Sequence, residues 1–92
     1  MAEHAEGEFE IINELGLHAR AAAQLVQVAN RYRCEVQVES EGQTVNGKSI
    51  MGVLMLAAAQ GTRIKISCTG EGAKACLAEL AQLISDKFGE GQ

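Results

Sequence analysis

The sequence predicts an α+β fold: an open-faced β-sandwich, with a four-stranded antiparallel sheet and three helices on one face. Three observations carry that expectation. Four short segments alternate apolar and polar residues with a period of two, three others repeat apolar residues at helical spacing, and the two kinds interleave in the order β-α-β-β-α-β-α. Helices gathered on one side leave the other, charged face of the sheet in water. The 92 residues, 47% of them apolar, supply the core of one small domain and no more. That domain is expected to take in residues 1–92, with residues 1–7 and the tail Gly89-Glu90-Gly91-Gln92 as loose ends.

Phe9 and Ile11 alternate with Glu8 and Glu10 as a first strand, which Asn13-Glu14-Leu15-Gly16 breaks. From Ala22 onward, Leu25, Val26 and Ala29 form the apolar side of an amphipathic helix whose other side carries Gln24, Gln27 and Asn30. Cys34, Val36 and Val38 alternate with Glu35, Gln37 and Glu39, and a turn at Ser40-Glu41-Gly42 folds this strand back onto Gln43 to Asn46 as a hairpin. Ser49 opens a short helix reaching to about Leu56. Ile64, Ile66 and Cys68 then alternate with Arg63, Lys65 and Ser67, and the basic outer face of this fourth strand suits the acidic face of Glu35 and Glu39. After Gly70, a last helix aligns Ala73, Cys76, Leu77, Leu80, Leu83, Ile84 and Phe88 on one stripe, with Gly89 as its stop.

Composition excludes several classes of function. A net charge of −4 and only three aromatics, Phe9, Tyr32 and Phe88, argue against nucleic-acid binding. The longest apolar run, Val53 to Ala59, is far short of the ~20 residues that span a bilayer. The acidic start lacks a basic region followed by an apolar stretch, so no secretory signal is read and a cytoplasmic location is expected. Cys34, Cys68 and Cys76 are odd in number and lack C-x-x-C spacing, so they read as small buried hydrophobes rather than as a disulfide framework or a zinc site. No metal and no cofactor is expected.

Gly42-Gln43-Thr44-Val45-Asn46-Gly47-Lys48-Ser49 matches the phosphate-loop pattern G-x-x-x-x-G-K-S. Its context does not match. A hairpin strand occupies its middle, the helix after it has about two turns, and the only aspartate, Asp86, falls in the last helix rather than at a strand end. Nucleotide hydrolysis is rejected, and Ser49 is expected to be the N-cap of its helix.

Gly16-Leu17-His18-Ala19-Arg20 lies where the first loop enters the first helix. A histidine there either caps the helix or acts as a nucleophile at an anion-binding site. First-turn amides such as that of Ala19 can hold phosphate oxygens, the Arg20 guanidinium can grip the same anion, and imidazole has a near-neutral pKa. Together these describe a phosphoryl acceptor, with His18 attacking phosphorus and Arg20 and the Ala19 amide binding the product. His4 has no comparable setting and is expected to be a tail residue.

With these residues in view, the sequence strongly resembles the histidine-containing phosphocarrier family, HPr, of the phosphoenolpyruvate-dependent phosphotransferase system. Gly16-Leu17-His18-Ala19-Arg20 followed by Ala22-Ala23-Gln24 is similar to the family's active-site motif, and Asn46-Gly47-Lys48-Ser49-Ile50-Met51-Gly52-Val53 to its regulatory-serine motif. The resemblance implies that His18 receives phosphate from enzyme I through Nδ1 and passes it to enzyme II components, that Arg20 holds it, and that Ser49 is the site of a regulatory kinase. It implies a stoichiometric carrier that is not itself an enzyme. Ala21 departs from the family's usual proline, and the first helix lacks several of its lysines; both bear on whether the enzyme IIA partner serves sugar import or a nitrogen-regulatory branch. The alternative is a regulatory or ligand-sensing interaction module in which His18 only caps a helix.

Ile50, Met51, Leu54 and Met55 are more apolar side chains than a two-turn helix buries on one face. Ile50 and Leu54 are expected to contribute partly to the core. With Met51, and with Ala23 and Gln27 on the first helix, they are also the expected docking surface for partners, to which adaptable methionine is suited. A monomer is expected.

Overall fold

The computed structural model describes residues 3–92, so the first two residues of the expected loose start lie outside the described residues. The chain runs β1 (His4–Glu10), α1 (Ala19–Asn30), β2 (Glu35–Ser40), β3 (Gln43–Asn46), α2 (Ile50–Met55), β4 (Arg63–Thr69), α3 (Ala73–Ser85) and a 3-10 turn, Lys87–Gly89. The strands form one antiparallel sheet in the order β1-β4-β2-β3. This is the predicted open-faced sandwich.

The two central strands bury every second residue: Val36, Val38 and Ser40 on β2, and Ile64, Ile66 and Cys68 on β4. Edge strand β3 buries none of its residues fully, and Val45 is its only half-buried one. Over the inner face lie α1, through Leu25 and Ala29, and α3, through Cys76, Leu80 and Ile84. At ~1.5–3 kcal/mol for each large apolar side chain removed from water, this shared layer is the main stabilising term.

Four expectations are corrected. Residues 4–7 are not loose, because β1 starts at His4 and pairs with β4 from His4↔Thr69 to Glu10↔Arg63. His4 is therefore no tail residue: its Nδ1 meets Thr69 Oγ1 at 2.8 Å and its Nε2 meets Glu6 at 2.7 Å. On the outer face Glu39 does stand opposite Lys65, but the ion pairs form towards β1, Lys65 to Glu6 at 3.2 Å and Arg63 to Glu8 at 3.7 Å. Exposed pairs of this kind add little stability. The last helix ends at Ser85, before Phe88. Lys87 and Phe88 both take φ of 56°, a left-handed turn that swings Phe88 back into the core at 2% exposure. Two left-handed L-residues cost roughly 1–2 kcal/mol each, and burial of the Phe88 ring offsets much of this.

Gly47 sits hard against the sheet. Its amide donates to the Val36 carbonyl at 2.7 Å, and a Cβ at this position would lie 2.5 Å from Val36 Cγ1. Gly47→Ala is expected to lower stability by about 1–3 kcal/mol through overpacking. An unchanged denaturant midpoint would show that the β3–α2 turn gives way freely.

Candidate functional site

His18 is the N-cap of α1. Its backbone is extended (φ −75°, ψ −178°), its carbonyl accepts from the Ala22 amide at 2.8 Å, and its Nδ1 accepts from the Arg20 amide at 3.3 Å. The loop before it is tightly fixed. Leu17 N donates to the Ala58 carbonyl at 2.9 Å, and Gly16 has a φ of +69° with the place of a Cβ only 2.6 Å from the same carbonyl oxygen. No residue with a side chain fits there without moving the loop that presents His18.

The other ring nitrogen is held from the far end of the chain. His18 Nε2 lies 2.5 Å from Glu90 Oε2, across 72 positions of sequence. Buried Asn13 completes the arrangement, its Nδ2 donating to Glu90 Oε1 at 3.0 Å and to the Gly16 carbonyl at 2.8 Å, while its Oδ1 has no partner among the described residues. Residues 89–92 are thus not wholly loose, since Glu90 is built into the site. Sequence reading missed both Asn13 and Glu90: Asn13 was read only as part of the break after the first strand, and its full burial is visible in the structure alone.

These contacts settle the roles of the ring nitrogens by hydrogen-bond logic. A carboxylate only accepts, so Nε2 carries the proton that bridges to Glu90, and Nδ1 keeps the lone pair that meets the Arg20 amide. Nδ1 therefore faces the positive end of a helix, where an anion is stabilised by amides and dipole. The hydrogen bond from His18, then that from Asn13, holds the Glu90 carboxyl below the usual carboxylate range, against a smaller opposing effect of burial. The stability this gives is present above the unfolded-state pKa of about 4.3 and is lost as pH falls through the lower folded value. In melting curves taken across pH, Glu90→Gln is expected to be less stable than the wild type near pH 7 and to converge with it in acid. A gap of constant size would mean that Glu90 contributes through packing alone.

Ala19 and Arg20 are exposed beside the ring. Among the described residues, no hydrogen bond or ion pair engages the Arg20 guanidinium, so it is available for an incoming anion. Ala21, at the position of the expected proline, is fully buried.

The phosphate-loop lookalike has a structural explanation. Lys48 Nζ donates to the Tyr32 carbonyl at 2.6 Å, just beyond the C-terminal end of α1, and Ser49 caps α2 by accepting from the Gly52 amide at 3.1 Å. A lysine at the negative end of a helix is employed in stabilising it.

Of the expected docking residues, Met51 is 75% exposed, Ile50 45% and Leu54 37%, while Ala23 is half-buried and Gln27 exposed. The partial core role expected of Ile50 and Leu54 falls instead to Val53 and Leu56, at 0% and 7%. A six-residue helix turns only one narrow face inward, and that face is Val53's. Met55, the fourth apolar side chain read as more than this helix can bury, is also exposed, as is Leu15 in the His18 loop, which was read only as part of the break after the first strand.

Similarity to known proteins points to one family. A family model described as "PTS HPr component phosphorylation site" matches residues 5–86. The phosphocarrier protein HPr of Pseudomonas aeruginosa is 50% identical over 86 residues, which cover 92% of this chain and 96% of that protein. The HPr of Neisseria meningitidis serogroup A is 48% identical over 83 residues, covering 90% and 93%. The crystal structure of HPr-C-His from Thermoanaerobacter tengcongensis aligns with a TM-score of 0.92 and 41% identity, covering 96% of this chain and 99% of that one. None of the helices among the described residues is long and apolar enough to cross a membrane.

Proposed function

Because the chain belongs to the HPr family and is a phosphocarrier of the phosphotransferase system, we propose that His18 is the residue that accepts the phosphoryl group, through Nδ1. The supporting observation is the pair of contacts on the ring: Glu90 holds the protonated Nε2, and Nδ1 faces the first-turn amides of α1. The Nδ1 lone pair attacks phosphorus, and the bond from phosphorus to the donor's own phosphate-bearing atom breaks, its electron pair leaving with the donor. The imidazolium charge that forms is met by the Glu90 carboxylate. The Ala19 and Arg20 amides and the Arg20 guanidinium bind the phosphoryl oxygens. The bond formed is reactive enough to be passed on, so the chain acts as a substrate of phosphotransferases and not as an enzyme.

Enzyme I is the donor in this reading, and a sugar-specific or nitrogen-branch enzyme IIA the acceptor. Residues 1–92 act as one cytoplasmic, monomeric carrier domain. Partners dock on Ile50, Met51 and Leu54 with Ala23 and Gln27, and phosphorylation of Ser49 by a serine kinase modulates that docking. The test is incubation with phosphoenolpyruvate and enzyme I, followed by intact mass and a nitrogen-resolved NMR spectrum of the ring. One acid-labile phosphate on His18 Nδ1 is expected. No phosphate, or phosphate on Nε2, refutes the assignment.

Arg20→Lys keeps the charge but loses the planar fork. Transfer from enzyme I is expected to slow by roughly tenfold, about 1.4 kcal/mol, and to persist. A wild-type rate would mean that the guanidinium does not touch the phosphate.

A further inference from the structure

The three cysteines, far apart in sequence, meet in the core. Cys34 precedes β2, Cys68 lies on β4 and Cys76 on α3, all of them free and at most 1% exposed. Their sulfurs all lie within 4.8 Å of one another. Each is thus no more than about 2.8 Å from a common point (4.8 Å divided by the square root of three), against ~2.3 Å for a zinc–sulfur bond. Rotation about the Cα–Cβ bonds by a few tenths of an ångström at sulfur closes the difference.

We propose that Cys34, Cys68 and Cys76 form a trithiol site for a trivalent thiophilic oxyacid of the arsenous acid class. Charge decides the class of ligand. The three cysteines sit in the core at no more than 1% exposure, where net charge is costly to bury. A monovalent ion on three thiolates leaves two negative charges in that core. A divalent one leaves one charge and an unfilled fourth position, for which the cluster offers no donor among the described residues. A trivalent centre leaves none. In the step As(OH)3 + 3 RSH → As(SR)3 + 3 H2O, three As–O bonds break and three As–S bonds form. Each thiol proton leaves on a departing hydroxide, and no electron changes hands. The product is neutral and three-coordinate, so all three sulfurs are used and no net charge is buried.

One corner of the cluster adjoins a cleft. Cys34 borders an open cleft of about 380 Å³ whose wall also includes Arg33, Asn46 and Lys48. An uncharged hydroxide such as arsenous acid enters such a cleft without shedding an ionic hydration shell.

The experiment uses the full reduced chain with equimolar arsenous acid under anaerobic, non-denaturing conditions. Intact mass is expected to show one arsenic per chain with three waters lost, X-ray absorption three sulfur neighbours, and the melting curve a rise in Tm. Cys34→Ala is expected to weaken binding roughly a hundredfold in competition with a small dithiol, because one of three linked donors is gone. A native adduct that keeps a hydroxide, an adduct that forms only in denaturant, or equal affinity of Cys34→Ala and the wild type each overturns the proposal. If Cys34→Ala does not fold, the sulfur count on the wild-type chain decides alone. Phosphoryl acceptance on His18 is expected to be unchanged by arsenic, since His18 caps the N-terminal end of α1, a helix of 12 residues and about 18 Å, and Cys34 follows its C-terminal end.

Discussion

Replacing His18 by alanine is expected to abolish phosphoryl acceptance completely while leaving the fold in place. The two effects separate because the proposed chemistry requires the imidazole, whereas the structure takes from it only a helix cap and one hydrogen bond to Glu90. Its Nδ1 takes up one orphan amide of α1 at 3.3 Å, and loss of such a cap costs about 1 kcal/mol. For a domain of this size, that is a fall of roughly 4–8 °C in Tm. Glu90 keeps its hydrogen bond from Asn13, so the C-terminal segment stays tethered. Intact mass after incubation with enzyme I and phosphoenolpyruvate, beside a melting curve, reads both. Residual phosphate on the alanine variant would place the acceptor elsewhere, and a collapse in Tm would make His18 a structural residue first.

Ser49→Asp is expected to weaken docking of enzyme I about tenfold or more with little change in stability. Aspartate caps helices as well as serine does, so the Gly52 amide that Ser49 now satisfies at 3.1 Å keeps a partner, and the added charge lies at the favourable end of α2. The cost falls on the surface. Ile50 and Met51 follow directly and are exposed, so a partner that dries them must also dry the new carboxylate or oppose it with its own acidic groups. Transfer rates at several carrier concentrations are expected to show a raised KM with kcat nearly kept. A wild-type KM, or early unfolding, would reduce Ser49 to a cap.

The strands and the two long helices were legible because their burial follows a period that sequence displays: Val36 and Val38, Ile64 and Ile66, Leu25 and Ala29. The end of the last helix was not. Phe88 stands four positions after Ile84, as a continuing helical stripe would have it, but the backbone reverses at Lys87 and delivers the ring to the same core by a left-handed turn. Periodicity reports which side chains are buried, not the path the backbone takes to bury them. The positions of His18, Arg20 and Ser49 were legible because each stands at or beside its own helix start. Glu90 and Asn13 were not, since their meeting depends on where the chain goes after α3. The cysteines show the same limit, for strand and helix spacing marked each of them as buried and neither could say that the three converge.

The sheet order β1-β4-β2-β3 also orders events in time. β1 has no partner until β4 exists, and the His4–Thr69 contact closes a span of 65 positions. Glu90 reaches His18 only after 72 further residues. Such distant pairings must overcome chain entropy before they give any return, which slows folding relative to helical proteins of similar length. A nascent chain long enough to display His18, Arg20 and all of α1 therefore still lacks the carboxylate that fixes the ring and the strand that seats β1. The acceptor is expected to become competent late in synthesis, all at once, when the residues after α3 emerge and the domain closes on itself.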